Sequence, residues 1–133
     1  MILLDTNVLI DFDSYTFDPS QSYCASMLSR AELTLGVVRA QTAQDGLARR
    51  AKLALLDAWI DWLPFDQAAS EGYGIVAGAA KLTGARLRNK DALIAGQAYS
   101  LGLSIMTANV DDFVPFSAHV VAMAPTPNLP PLS

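Results

Sequence analysis

Short apolar runs alternate with longer segments of helical spacing along most of the chain. The runs predict buried strands at residues 1–4, 22–28, 62–65, 103–107 and 119–123. Segments with apolar residues three or four positions apart predict helices at 29–38, 41–60, 67–83 and 90–100. Because parallel neighbouring strands need crossover helices, this alternation predicts an α/β sandwich with a mainly parallel central sheet.

Local signals predict where several helices begin and end. The segment Ser29-Arg-Ala-Glu32 has the form of a capping box, in which Glu32 bonds back to the backbone of Ser29. Asn89 is predicted to cap the last helix, and Gly84 and Gly102 are predicted to end the two later ones. The helix at 41–60 is predicted to be amphipathic, with an apolar face made of Leu47, Ala51, Ala54, Leu55, Ala58 and Trp59.

The organisation is that of one domain and a tail. Residues 1–123 contain all the predicted elements, and residues 124–133 hold four of the seven prolines. Such a tail cannot continue a helix or a central strand, so we expect it to be loose or to lie over the surface.

Composition excludes several classes of protein. Hydrophobic residues make up 52% of the 133 residues and charged residues 17%, which is too apolar for a disordered chain. No apolar run approaches the roughly 18 to 20 residues that cross a bilayer, so we expect a soluble cytoplasmic protein without a membrane partner. Cys24 is the only cysteine, which excludes an internal disulfide and a cysteine zinc site and leaves it a core residue.

The net charge of −4 gives no support for a globally basic nucleic-acid binder, but the positions of the acids matter more than their sum. Four acids fall at predicted turns: Asp5 and Glu32 after the first and second strands, Asp91 at the start of a late helix, and Asp112 shortly after the strand at 103–107. Right-handed crossovers place these turns along one sheet edge. Converging carboxylates suit Mg²⁺ or Mn²⁺, where one ion activates water for phosphodiester hydrolysis and a second stabilises the leaving oxygen.

Each acid also has a structural explanation. Glu32 can close the capping box, Asp91 can favour a helix N-terminus, and Asp5 can brace an Asx turn. Asn109 and Asp112 repeat the spacing of a capping box. The site and the structural alternatives therefore both stay open on spacing alone.

Four motifs together resemble those of PIN-domain ribonucleases, especially the VapC toxins of toxin–antitoxin pairs. The motifs are Met1-Ile-Leu-Leu-Asp5-Thr-Asn7-Val-Leu-Ile10, Ser29-Arg-Ala-Glu32-Leu33, Asp91-Ala-Leu-Ile-Ala95 and Thr107-Ala-Asn109-Val-Asp-Asp112-Phe113. Their order and spacing match over residues 1–123. The resemblance implies a three-layer α/β/α sandwich and a Mg²⁺- or Mn²⁺-dependent endoribonuclease that cuts a structural or transfer RNA. It also implies a homodimer neutralised by a cognate antitoxin.

The resemblance also assigns roles to residues. Asp5, Glu32, Asp91 and Asp112 become the catalytic metal-site acids. Supporting roles fall to Thr6, Asn7 and Thr107. Asn109 stands where some members of the family have an aspartate, and it can coordinate through its carbonyl oxygen without adding charge. Asp111 is predicted to be a solvated turn acid.

Basic residues precede the third acid motif. Arg86, Arg88 and Lys90 are candidate contacts to RNA phosphates, and a solvated basic loop is the alternative. His119 is the only histidine, which argues against metal-free RNA cleavage by a histidine pair. The high apolar content favours association, and together with the resemblance it implies a symmetric dimer and a hydrophobic groove for an antitoxin helix.

Three other functions compete with the nuclease interpretation. A haloacid-dehalogenase phosphatase needs a second aspartate at the position of Asn7, and a response-regulator receiver domain needs an acidic pair where only Asp5 occurs. A PIN-like module that binds RNA or protein without cutting it is the main alternative. Retention of all four acids argues against it, because a binding module has no need to hold so much negative charge together.

Overall fold

The computed structural model describes residues 1–129 and has two sheets and five α-helices in that part of the chain. The strands of the central sheet are β1 (Ile2–Leu4), β3 (Tyr23–Ser26), β4 (Asp61–Leu63), β5 (Ser104–Met106) and β6 (Ala122–Met123). They lie in the order β4-β3-β1-β5-β6, and every neighbouring pair is parallel. The helices are α1 (Thr6–Ile10), α2 (Met27–Val38), α3 (Ala43–Trp59), α4 (Gln67–Leu82) and α5 (Asn89–Leu101).

Alternate residues of the short strands bury opposite faces of the sheet. Leu3 packs with α4 and α5 in one core cluster, while Leu4 packs with α1 and α3 in another. This alternation follows from the two-residue period of a strand, and it gives each face of the sheet its own helical layer. The predicted three-layer α/β/α sandwich with a parallel sheet is therefore confirmed.

The capping box predicted at Ser29 is wrong. Helix α2 begins two residues earlier, at Met27, and Ser26 is its cap, with its hydroxyl accepting from the backbone N–H of Leu28 at 3.1 Å. Ser29 and Glu32 lie inside the helix, where residues three apart share a face. The spacing that resembled a cap thus places two side chains on the same side of α2.

The predicted cap at Asn89 is also wrong, although α5 begins where expected. The cap position belongs to Arg88, and the side chain of Asn89 accepts a hydrogen bond from the Tyr73 hydroxyl at 2.8 Å. Gly102 ends this helix in the left-handed region, at a φ of 67°, as predicted.

Helix α3 does not bury its predicted apolar face. Leu47 and Leu55 are 69% and 62% exposed, and the helix instead packs through Leu56. The spacing of apolar residues therefore predicts the helix correctly, but it does not predict which side of the helix faces the sheet.

Two glycines bring α4 and α5 into backbone contact. A Cβ added at Gly72 would lie 2.2 Å from the carbonyl oxygen of Gly96, so neither helix could keep its place with a larger residue there. This close packing fixes α5, whose first turn carries Asp91.

The tail lies over the surface as far as it is described. Its strand β7 (Thr126–Pro127) pairs antiparallel with β2 (Tyr15–Thr16). Asn128 adds a side-chain contact, because its Oδ1 accepts from the Thr16 hydroxyl at 2.8 Å. Residues 130–133, including the last two prolines, lie outside the described residues. None of the helices within residues 1–129 combines the length and apolarity needed to cross a bilayer.

Candidate active site

A cleft of about 170 Å³ lies at the carboxyl ends of the central strands. It is lined by Asp5, Thr6, Asn7, Ile10, Glu32, Arg88, Lys90, Asp91, Asn109 and Asp112. The structure thus brings the four acids singled out in the sequence into one place. They come from the end of β1, from α2, from α5 and from the 3-10 helix at Val110–Phe116 that follows β5.

Asp5 is held in a fixed orientation. One carboxylate oxygen accepts from the backbone N–H of Thr6 at 2.8 Å, and the other accepts from the Thr107 hydroxyl at 2.9 Å. The side chain is buried, and burial raises its pKa above the ordinary aspartate value against the opposing effect of these hydrogen bonds. Asp5 therefore joins β1 to the end of β5 and presents a partly desolvated carboxyl to the cleft.

Asn7 connects the same two segments. Its Nδ2 donates to the Thr107 hydroxyl at 3.3 Å, and its Oδ1 accepts from the backbone N–H of Ala108 at 3.0 Å. The Thr107 hydroxyl also accepts from the backbone N–H of Asn109 at 3.1 Å. These bonds fix the turn after β5, which carries Asn109 and Asp112 into the cleft.

A second network connects α1 to α2. The Thr6 hydroxyl donates to Ser29 Oγ at 2.8 Å and lies 3.3 Å from Glu32 Oε1. Ser29 is fully buried. The sequence did not assign Ser29 to the site, but its position three residues before Glu32 on one helix face was a signal for it.

Asp91 is the most perturbed acid of the cleft. It is 8% exposed, and its Oδ2 is buried with no hydrogen-bond partner among the residues that the structure describes. Burial, and then the negative charges of Asp5 and Asp112, raise the pKa of Asp91 to about 6. A cation bound beside this desolvated carboxylate would offset the repulsion among the three acids and so lower the electrostatic free energy of the folded protein.

Two basic side chains meet the remaining acids. The ammonium of Lys90 pairs with Glu32 Oε2, and Arg88 Nη1 lies 3.2 Å from Asp112 Oδ2. In this arrangement no three carboxylate, histidine or cysteine groups within residues 1–129 are close enough together to hold a metal ion. The donor set nevertheless fits a hard cation, since it offers carboxylate oxygens and a buried oxygen that lacks a partner.

The other residues singled out in the sequence lie away from the cleft. Arg86 is exposed and does not line it, and Asp111 lies in a neighbouring shallow hollow. His119 stacks edge-on against Tyr99 with ring centroids 5.3 Å apart. Cys24 is a buried core residue, and burial raises the pKa of its thiol to about 11.

The protein without metal is expected to lose stability through Asp91 as the pH rises from about 4 to 6. The pKa of this carboxyl is about 6 in the fold against the ordinary 3.8, so the folded state holds the proton more tightly. The resulting stabilisation is complete at the acid end and lost at the neutral end, which amounts to roughly 3 kcal/mol. In chelator at about pH 7.5 we expect Asp91→Asn to melt above the wild type, with a smaller gap at about pH 4.5. Equal melting temperatures at the higher pH would contradict this.

Comparisons with known proteins agree with the architecture. No protein-family model matches the chain. It is similar to ribonuclease VapC4 of Mycobacterium tuberculosis, with 29% identity over 113 residues that cover 82% of this chain and 86% of the relative. It is also similar to VapBC-5 from the same organism, a member of the VapBC family of toxin–antitoxin systems. That structure has a TM-score of 0.77 and 26% identity, over 94% of this chain and 97% of the other. VapBC2 from Rickettsia felis, solved with a promoter DNA fragment, has the same fold, with a TM-score of 0.78 and 19% identity over 94% and 99% of the two chains.

The parallel sheet with helices on both faces and an acid-lined cleft beyond its strand ends defines a PIN-type domain. The motifs that carried the resemblance now lie together at that cleft. In sequence and in fold, the chain is similar to VapC-type PIN-domain proteins.

Proposed function

We propose that this protein is the toxin of a toxin–antitoxin pair and acts as a Mg²⁺- or Mn²⁺-dependent endoribonuclease. The observation that carries the proposal is the convergence of four acids on one cleft around a buried carboxylate oxygen without a partner. The likeness to a protein named ribonuclease VapC4 supports RNA as the substrate.

Asp5, Glu32, Asp91 and Asp112 are the proposed metal ligands, with the carbonyl oxygen of Asn109 as an additional one. When bound, a divalent ion supplies the Lewis acidity that activates water and offsets charge on the scissile phosphate. The chain's part is to hold the acids in place. Thr107 and the backbone of Thr6 orient Asp5, while Thr6 and Ser29 position the face of α2 that carries Glu32.

Positive charge beside the acids suits an RNA backbone. Arg88 and Lys90 line the cleft and are 72% and 56% exposed at their side chains, so each can reach a phosphate at the mouth. Arg86 lies outside the cleft and is a candidate contact to a more distant phosphate. Such contacts position a strand without reading its sequence.

A binding module without catalysis is the less favoured function. Grouping Asp5, Asp91 and Asp112 costs the fold free energy, which appears as the raised pKa of Asp91. Binding RNA would be easier without that negative charge. A metal site explains why the three acids are grouped despite this cost. The similarity to a relative named a ribonuclease also supports an enzymatic function.

The proposed partners are an antitoxin and a second copy of the chain. A groove of about 450 Å³ between α1, α2 and α3 is lined by Ile10, Leu33, Leu53 and Leu56 and reaches Thr6 and Glu32 at the acid cleft. It fits an apolar antitoxin segment whose end reaches the acids.

Exposed apolar residues on α4 and α5, including Ile75 and Leu101, are a candidate dimer face. Sedimentation at micromolar concentration is expected to show a dimer, and a monomer throughout would contradict that part.

The enzymatic proposal is tested with a labelled RNA pool and the purified full chain. We expect multiple turnover in Mg²⁺ or Mn²⁺ and none in chelator, because the cleft contains no histidine pair to act in place of a cation. RNA that is bound but never cut in either ion would favour the binding module instead.

A further inference from the structure

Lys90 joins the two helices on either side of the acid cleft. It stands in the first turn of α5, and its ammonium pairs with Glu32 Oε2 on α2. The other oxygen, Glu32 Oε1, lies 3.3 Å from the Thr6 hydroxyl. Both oxygens of this proposed metal ligand are therefore already engaged by the chain itself.

This pair is the more sheltered of the two ion pairs in the cleft. The side chains of Glu32 and Lys90 are 30% and 56% exposed, against 36% and 72% for Asp112 and Arg88. Among the residues that the structure describes, Arg86 forms no ion pair, although it lies only four positions before Lys90. Lys90 and Arg86 therefore carry the same charge, and they differ in that Lys90 pairs with an acid of the cleft.

The net charge of the cleft is set by its four acids and its two basic residues. Four carboxylates meet two internal cations, Lys90 and Arg88, which leaves an excess of negative charge that a dication can neutralise. A dication bound at Glu32 needs the oxygen that Lys90 now holds. It also repels the ammonium, since like charges in a partly desolvated cleft interact strongly.

We propose that Lys90 is an internal counter-ion that competes with the divalent cation for Glu32, so that metal loading releases the ammonium toward the mouth of the cleft. The inference rests on the proposed metal site but not on RNA cleavage. Lys90 is a positioning residue that acts through Glu32, lowering metal affinity and presenting a free positive charge beside the loaded site.

Calorimetric titration of the full chain with Mn²⁺ tests this directly. Lys90→Gln removes the competing charge and is expected to bind Mn²⁺ about three- to tenfold tighter, the range that loss of a partly exposed ion pair and its repulsion implies. Lys90→Arg keeps the charge and should stay close to the wild type. Arg86→Gln removes the same charge outside the cleft and should change the affinity less than about twofold.

Unchanged or weaker Mn²⁺ binding by Lys90→Gln would overturn the inference, as would an equal gain in Arg86→Gln. A second readout needs no substitution. In the wild type, the NMR signal of the Lys90 ammonium should shift with the same midpoint as Mg²⁺ binding, and an ammonium signal that ignores saturating Mg²⁺ would also overturn it.

The outcome is separable from that of the proposed function. A chain that binds Mn²⁺ tighter as Lys90→Gln but never cuts RNA would support the counter-ion and contradict the nuclease. Cleavage of RNA by the wild type, together with equal Mn²⁺ affinities of the wild type and Lys90→Gln, would support the nuclease and contradict the counter-ion. A wild-type chain that binds no Mn²⁺ would contradict both.

Discussion

Asp5→Asn is expected to reduce RNA cleavage on the order of a thousandfold or more, because several kcal/mol of charge stabilisation depend on the carboxylates of the cleft. The fold should survive the change. Asparagine caps helices about as well as aspartate, and its Oδ1 can accept from either the backbone of Thr6 or the hydroxyl of Thr107. Initial rates of RNA cleavage, with circular dichroism of the same preparations, measure both effects.

Asp66→Asn is the matched control for this variant. Asp66 is also a helix cap, accepting from the backbone N–H of Ala69 at 2.9 Å, and it does not line the acid cleft. The same chemical change at the N-cap of α4 should leave turnover at the wild-type rate. Full activity in Asp5→Asn would remove Asp5 from the site, and loss in both variants would point to the caps instead.

Glu32→Gln is expected to lower cleavage on the order of a hundredfold or more, because glutamine keeps the shape of the side chain and removes the charge a cation needs. Its effect on stability should be small, since the partly exposed pair with Lys90 contributes about 1 kcal/mol at most. Cleavage rates and thermal melting of the same samples separate the two quantities.

Two control variants make the result specific. Glu71→Gln changes the only other glutamate of the chain, on an exposed part of α4, and should leave cleavage unaltered. Ser26→Ala removes the real cap of α2 and should cost about 1 kcal/mol of stability with turnover retained in the folded protein. A fully active Glu32→Gln protein would refute its assignment as a ligand.

The acids could be located from the sequence because each follows a signal that depends on a few neighbouring residues. The run before Asp5 is a buried strand, and parallel strands with right-handed crossovers bring their carboxyl ends to one edge. Fold class and the convergence of Asp5, Glu32, Asp91 and Asp112 follow from that topology. The surface position of the tail, as far as residue 129, was predictable from its prolines, because proline cannot continue a helix or a central strand.

Other features depend on contacts that no local pattern contains. The pattern at Ser29 and Glu32 satisfies both a capping box and a shared helix face, and only the position of Ser26 decides between them. The apolar spacing of α3 does not say which side meets the sheet, so Leu47 and Leu55 were placed on the wrong one. The pairing of Lys90 with Glu32 joins residues far apart in sequence and appears only in the folded chain.

The central claim is that metal-dependent attack by water, with the acids in place, breaks an RNA phosphodiester bond. Cleavage of a labelled RNA in ¹⁸O-enriched water with Mn²⁺, followed by mass spectrometry of the new ends, tests it most directly. The account predicts one ¹⁸O atom in the new terminal phosphate, a free hydroxyl on the other fragment, and no product in chelator. Ends bearing a 2′,3′-cyclic phosphate without ¹⁸O, or undiminished cleavage by the metal-free protein, would contradict it.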